Sequence, residues 1–386
     1  MVDKKKFVFF ITHSLGELDV VLPIICRLRS HGEKYDFRII FLVEGLFDKF
    51  KSEIYFERAF KLLGVQASFL RMPNKFDYKE SSGREIKNIV FKFKANIINP
   101  VTLIKLFSIL RNSNVVFHEH SCQVKTVRAI YIFSKILRKK IFTYVHGHAC
   151  NLDTNVKKIR FCTKYSHFLN FHKHSALTYL NSGYVKQSII GYPKFYPEWN
   201  KFIKTYFGEN PFKERFILVY TRPINPYYMD ENIYYELLTE TCLAIYECFG
   251  REVLVVIKPH PREKQDLIHK LLSKLNVRYE ISYKDSSVLS LHAYLSVSFW
   301  TSAILSSVSF GVPSVEFYKE AELFYKIEPS GSSYKKIGLE SVDNKKDLVL
   351  FMKKVFLGKY KQPVNALNIL KENNDIDLRG IFNQSL

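Results

Sequence analysis

The sequence is poor in several things at once. Its 386 residues hold two tryptophans, four methionines and six cysteines. The cysteines (Cys26, Cys122, Cys150, Cys162, Cys242 and Cys248) are scattered, with no CxxC pair. That spacing argues against a disulfide framework and fits reduced thiols in a cytoplasmic protein. The twelve histidines form no HExxH and no Cys/His ladder, so no metal and no cofactor is expected. No stretch approaches the ~18 apolar residues of a membrane-spanning helix. The apolar run 7–12 is too short for a signal-peptide core, and Glu17 and Asp19 soon interrupt it. GxxxxGK[ST], a strand-following GxGxxG and GxSxG are all missing. Their absence argues against P-loop kinases, dinucleotide oxidoreductases and serine hydrolases.

Acid is also in short supply. Lys and Arg number 58 against 37 Asp and Glu, a net charge of +21, in a chain whose 47% hydrophobic content is ordinary for a folded protein. The excess is lopsided: residues 1–200 hold 33 basic and 15 acidic residues (+18), and residues 201–386 hold 25 and 22 (+3). Two domains facing different partners would produce that division. Residues 81–164 carry 16 basic and three acidic residues, interleaved with apolar ones at 87–94 and 137–140. Such a pattern suits an anionic membrane surface, or else a solvated helix face. No DNA- or RNA-binding motif accompanies the charge, and the aromatics sit mostly inside apolar patterns that read as core. No specific nucleic-acid partner is therefore expected.

What the chain does have is alternation. Short β-branched and aromatic runs at 7–12, 36–43, 65–70, 114–118 and 141–145 are separated by helix-period segments at 18–31, 51–63, 101–110 and 124–137. The pattern restarts with strands at 216–220, 252–257, 277–281, 294–297 and 314–317, and helices at 231–249, 263–275, 301–309 and 345–356. Continuous apolar strands alternating with helices imply parallel sheets covered on both faces. The fold class is α/β, with two Rossmann-like doubly wound domains. The expected boundaries are 1–200 for an N-terminal acceptor domain, 201–214 for a linker containing Gly208, Asn210 and Pro211, and 215–360 for a nucleotide-donor domain. A tail, 361–386, has packing against the N-terminal domain as one arrangement.

Ligands of such sheets bind beyond the carboxyl ends of the strands, so the loops there carry the chemistry. The strongest is Lys258-Pro259-His260-Pro261-Arg262-Glu263, where two prolines stiffen a turn between a strand and a helix. His260, flanked by Lys258 and Arg262, suits a phosphate oxygen; the plainer reading is a histidine that merely caps the next helix. Ser298-Phe299-Trp300-Thr301-Ser302 ends another strand in hydroxyls that suit an anion, or that simply cap the following helix. Arg222 is a further phosphate candidate, and Glu316 could accept from ribose hydroxyls or simply be a solvated strand-end acid. In the first half, Ser14-Leu15-Gly16-Glu17-Leu18-Asp19 opens a helix. Glu17 and Asp19 there favour the helix dipole, and either could also act as general base on an acceptor hydroxyl. Ser14, Gly16, Glu119, His146 and His148 also follow strands and are substrate-binding candidates. His146 and His148 are spaced for one side of an extended segment but lack a third ligand.

With these residues in view the chain resembles the GT-B glycosyltransferases of bacterial surface-polysaccharide assembly (capsule and lipopolysaccharide). Within them it is most similar to the group with HP and Ser-Ser motifs that uses CMP-activated Kdo or sialic-type sugars. The resemblance rests on Lys258-Pro259-His260-Pro261 and on Trp300-Thr301-Ser302 ahead of Gly311-Val312-Pro313, with Gly191-Tyr192-Pro193 similar to the turn closing the N-terminal domain. The motif reads Trp-Thr-Ser where the group has Ser-Ser, and the acidic motif of polysialyltransferases is not evident. The resemblance implies two domains facing across a cleft and a metal-independent glycosyltransferase. His260 with Thr301 or Ser302 would hold the donor phosphate, and an N-terminal acid, assigned to Glu17, would be the base. It implies a CMP-linked sugar donor and an anionic or lipid-linked glycan acceptor, met peripherally at the inner face of the cytoplasmic membrane. Alternatives of the same architecture are a CDP-glycerol-type glycerophosphotransferase and a UDP-sugar 2-epimerase. Readings of a different class are a basic peripheral membrane protein or a nucleic-acid binder.

Overall fold

A computed structural model describes residues 4–12, 14–32, 35–72, 99–119, 125–145, 166–173, 186–224, 229–260, 263, 265–319 and 332–383. The chain divides into two units: Met1–His146, Val156–Pro193 and Asp375–Leu386 form unit 1, and Gly147–Asn155 with Lys194–Asn374 form unit 2.

Unit 1 is built on β1 (Lys5–Ile11), β2 (Tyr35–Phe41), β3 (Val65–Phe69), β4 (Val115–Glu119), β5 (Lys140–Tyr144), β6 (His167–Asn170) and β7 (Lys186–Ile189). The seven strands lie in the order β3-β2-β1-β4-β5-β6-β7, and every pairing is parallel. Phe9 pairs with Ile39 on one side and Phe117 on the other, which fixes the register at the centre. Side chains alternate across the sheet with period two. One face therefore collects Phe7, Phe117 and Phe142, whose rings sit against Phe382. The other collects Val8, Phe10, Ile40 and Val116, which pack with Leu106, Leu110 and Ile130 of the covering helices Pro100–Arg111 and Lys125–Ile136.

Unit 2 repeats the plan with β8 (Phe216–Tyr220), β9 (Leu254–Lys258), β10 (Tyr279–Ile281), β11 (Ala293–Ser298), β12 (Ser314–Phe317) and β13 (Ser341–Val342), ordered β10-β9-β8-β11-β12-β13. All its pairings are parallel as well. Ile217, Val219, Val255, Ile257 and Val297 face the helices Glu231–Phe249 and Lys345–Phe356. Local chemistry sets where those helices begin. Asp230 accepts from the Ile233 N–H (2.9 Å), and Asn344 from the Asp347 N–H (2.9 Å), satisfying donors that a helix start leaves unpaired.

The two-sheet doubly wound architecture agrees with the sequence reading. Several elements differ from it. The single helix expected over 51–63 is two, Glu44–Ser52 and Ile54–Leu63, broken at Glu53 in an extended conformation. Strands β6, β7 and β13 were not expected. The segment 201–214, read as a linker, opens inside a helix, Pro197–Tyr206, whose proline stands at a position where its missing N–H costs nothing. The stretch 361–386 is divided: helix Val364–Leu370 belongs to unit 2, and helix Leu378–Asn383 to unit 1. Among the described residues no helix is long and apolar enough to cross a membrane.

Candidate functional site

Counted within each unit, the six strands of unit 2 run 3-2-1-4-5-6, and those of unit 1 run the same way with a seventh added at the edge. Connections leave the first strand in one direction and the fourth in the other, so loops part at their carboxyl ends and leave room for a ligand. In unit 2 this point lies between β8 and β11, and in unit 1 between β1 and β4.

On the carboxyl edge of unit 2 the candidates fall on four strands. Arg222 follows β8, Lys258 ends β9 with His260 two residues on, Thr301 and Ser302 follow β11, and Glu316 lies in β12. The His260 and Thr301 loops are not on neighbouring strands: β8 stands between them, with Arg222 just beyond its end. The strand ends are tied in register by Thr221 N–H donating to the Lys258 carbonyl (3.2 Å) and Phe299 N–H to the Tyr220 carbonyl (2.9 Å).

The His260 turn is held by a residue the sequence reading passed over. The Glu263 carboxylate accepts from the His260 backbone N–H, from Thr221 Oγ1 (2.9 Å) and from the Tyr234 hydroxyl (2.9 Å). Three elements thus converge on one carboxylate. Burial raises the Glu263 pKa while those three donors pull it down. The Tyr234 hydroxyl is pushed far up by burial and by the Glu263 charge, so it stays a donor. The signal was present in the sequence: an acid three residues after a turn residue, reaching back to that residue's N–H, is half of a capping box.

Arg222, a phosphate candidate in the sequence, also touches the neighbouring loop. Its guanidinium lies 4.3 Å from the centre of the Trp300 ring and donates to the Trp300 carbonyl. Trp300 has φ of 48°, in the left-handed region that costs a bulky side chain energy and persists only where surroundings hold it. Arg222 therefore clamps the Trp300 loop at the carboxyl edge where a phosphate would bind. Beyond Trp300, Ser298 Oγ accepts from the Thr301 N–H (3.3 Å), and Thr301 Oγ1 from the Ala303 N–H (3.4 Å). The helix that follows, Ile304–Ser309, is six residues long. The hydroxyls, more than a helix dipole, are what this loop offers an anion.

Glu316 is fully buried, not the solvated strand-end acid that was the alternative. Ser332 and Ser341 hydroxyls donate to its Oε2 (2.5 and 2.7 Å), and Oε1 has no partner among the described residues. Burial pushes its pKa up to about 7, against the two serine hydrogen bonds and the charges of Arg222 and Lys335.

On the carboxyl edge of unit 1, Glu17 is fully buried, and its carboxylate accepts from Thr12 N–H (3.0 Å), Thr12 Oγ1 (3.2 Å) and Ser14 N–H (3.1 Å). Ser14 Oγ in turn accepts from the Gly16 N–H (3.0 Å), which completes a capping box. Glu17 and Ser14 therefore build the turn, with the Glu17 carboxylate engaged by these backbone and hydroxyl donors. Asp19 is half-buried in the first turn of the helix Leu18–Ser30. Glu119 ends β4 and is fully buried, and its neighbour His118 bonds Tyr131 through Nε2 (2.7 Å). His146, His148 and Arg262 lie outside the described residues. Among the described residues no three His, Cys, Asp or Glu side chains gather as metal ligands would.

No family model matches the sequence, and no curated protein matches it. Solved structures do match. One is Alr3699/HepE of Anabaena in complex with UDP and glucose, at 12% identity and TM-score 0.54, covering 98% of this chain and 97% of that one. Another is the UDP-GlcNAc 2-epimerase of Methanocaldococcus jannaschii, at 16% and 0.59, covering 97% and 99%. A third is a glycosyltransferase of Rickettsia africae, at 12% and 0.52, covering 98% of both chains. At such identities the likeness is one of fold: two Rossmann-like units of the GT-B type.

Proposed function

We propose that the protein is a glycosyltransferase that moves a sugar from a nucleotide-sugar to a hydroxyl of a glycan acceptor. The observation that carries this reading is the carboxyl edge of unit 2. There a braced His260 turn, a hydroxyl-bearing loop after β11 and a buried Glu316 with an unpartnered oxygen lie on one edge of a 3-2-1-4-5-6 sheet. Those groups match the parts of a nucleotide: phosphate oxygens for His260, Lys258 and the Thr301 and Ser302 hydroxyls, and a ribose hydroxyl for Glu316 Oε1. The Anabaena and Methanocaldococcus structures, whose names include UDP or a UDP-sugar, support a nucleotide-sugar as donor.

In the reaction the acceptor oxygen attacks the anomeric carbon and the bond from that carbon to the phosphate oxygen breaks. The nucleotide leaves with the electron pair, and a carboxylate takes the acceptor proton. His260 and its neighbours meet the charge that grows on the leaving phosphate. Asp19 is assigned the base role, since Glu17 is committed to its turn. The Lys258-Pro259-His260-Pro261 motif favours a CMP-linked Kdo or sialic-type donor, and a metal-free reaction that persists in chelator.

His260→Ala is expected to abolish transfer while leaving the melting temperature unchanged. Turnover at the wild-type rate would overturn the assignment. The protein is incubated with CMP-, CDP- and UDP-linked donors, with and without glycan acceptor. CMP release from a CMP-sugar that depends on acceptor supports the finer reading. A second reading, a UDP-sugar 2-epimerase, is favoured by the Methanocaldococcus likeness. It would show as conversion of a UDP-sugar to its 2-epimer with no acceptor present. A glycerophosphotransferase would release CMP from CDP-glycerol.

A further inference from the structure

The helices Pro100–Arg111 and Lys125–Ile136 lie side by side on unit 1, joined by an edge-to-face contact of Phe107 and Phe133 with ring centres 5.6 Å apart. Their inner residues Leu106, Leu110 and Ile130 are buried against the sheet. At 100° per residue, Ile104 and Val101 turn away from Leu106 and Leu110, and Ile132 and Ile136 turn away from Ile130. All four are open to solvent: Val101 56%, Ile104 69%, Ile132 42% and Ile136 64% exposed. Aliphatic side chains grouped on the outer faces of two adjacent helices mark a contact surface rather than isolated surface residues.

The charge around them identifies the occupant. Residues 99–145 hold eight Lys and Arg and a single acid, Glu119, which is fully buried and so gives this surface no negative charge. Lys105, Arg111 and Arg138 are exposed on these helices and just after them. Unit 2 offers a contrast. Its exposed Leu350 and Phe356 share a helix with Lys353 and Lys345, which lie 3.1 and 3.7 Å from Glu247.

We propose that the paired helices Pro100–Arg111 and Lys125–Ile136 dock unit 1 on an anionic phospholipid surface, the isoleucines entering the acyl boundary and the cations meeting the headgroups. A bilayer accepts both kinds of group at once. Nucleic acid would meet the cations but not the isoleucines, because single-strand binding relies on aromatic rings for stacking. A second copy of the chain, related by a two-fold axis, would bring the same cations face to face. The proposal stands without the transferase reading, since it concerns no residue of the site.

Co-sedimentation of the full chain with lipid vesicles tests it. Vesicles of phosphatidylcholine and of phosphatidylcholine with phosphatidylglycerol are compared in low and high salt. Binding is expected with phosphatidylglycerol only, and is expected to weaken in salt. The exposed-face variant Ile104→Asp/Ile136→Asp should lose more than roughly tenfold in partition, and Lys105→Glu/Arg111→Glu roughly fivefold or more for each charge removed. The control Leu350→Asp/Val364→Asp should bind as the wild type, and all variants should keep its melting temperature, because these side chains are exposed. Equal binding to both vesicles, or equal loss in the control, would overturn the proposal. So would a face variant that binds as the wild type does. Loss of a dimer in the Ile104 variant without loss of vesicle binding would assign the face to self-association instead.

Discussion

Two acids three residues past a loop residue behave alike in this molecule. Glu17 takes the N–H of Ser14 and Glu263 takes the N–H of His260, and in each unit that contact fixes the turn after a strand. A carboxylate placed there by local spacing braces its turn, a role that the residue type alone does not disclose for Glu17. Glu316 differs, being a fully buried carboxylate with an oxygen left over. Its pKa, raised by burial from 4.5 to about 7, means that folding makes its ionisation harder. The unfolded chain releases that proton near pH 4.5 and the folded chain only near 7. Stability relative to a neutral side chain is therefore intact below pH 4.5 and is lost as pH rises through 7, by up to about 3 kcal/mol. Glu316→Gln should accordingly melt higher than the wild type at pH 8 and alongside it at pH 4.5. Its nucleotide affinity should be weaker and lose the decline below pH 7 that an ionised ribose acceptor gives the wild type. Melting curves and nucleotide titrations across this range check both, and a Gln variant that binds nucleotide as tightly as the wild type at pH 8 would remove Glu316 from the site.

At the scale of elements, the knot on Glu263 joins the end of β8 through Thr221, the helix Glu231–Phe249 through Tyr234, and the His260 turn. Glu263→Gln keeps the shape but puts an amide donor where three donors converge, so the turn should shift. A misplacement near 1 Å at a reacting group costs about 10²-fold. We expect nucleotide affinity or turnover to fall roughly tenfold to a hundredfold, with Glu263→Asp no better than partial rescue. A general loss of stability with unchanged binding in the folded fraction would instead make the knot merely structural. The elements that the sequence disclosed are those with a clear apolar pattern: β8 and β12, buried throughout, and the one-sided helices Glu231–Phe249 and Lys345–Phe356 fall where the periodicity put them. The strands it hid are β6, His-Phe-Leu-Asn, β7, Lys-Gln-Ser-Ile, and the two-residue β13. β7 lies at the edge of its sheet, where polar residues and lysine are tolerated and discourage further pairing. The His260 and Trp300 loops were legible because prolines and hydroxyls mark them. The support of the Trp300 loop was not, since Arg222 stacked on Trp300 is a contact between residues 78 apart in sequence.

Over the whole molecule, the last twelve residues, 375–386, belong to the unit that the first residues begin. The buried ring of Phe382 lies edge-on to Phe7, Phe117 and Phe142, with centres 5.9, 5.2 and 4.9 Å away. Lys5 Nζ donates to the Phe382 carbonyl (3.2 Å) and Lys140 Nζ to that of Asn383 (3.1 Å), cations placed where the helix end is negative. Emptying such an aromatic site costs about 3–5 kcal/mol, a large share of what holds a domain of this size. Unit 1 therefore cannot complete its core until Phe382 is in place, whereas the main body of unit 2, Lys194–Asn374, precedes that residue in the chain. Phe382→Ala, or a chain ending at residue 374, should lose hydrogen-exchange protection in β1, β4 and β5 and keep it in β8, β9 and β11. Nucleotide should still raise the melting temperature of unit 2, since ligand binding to the native state stabilises whichever unit holds the site. Equal loss of protection in both sheets would mean that the two units fold as one. Retention in both would mean that the Phe382 ring is dispensable.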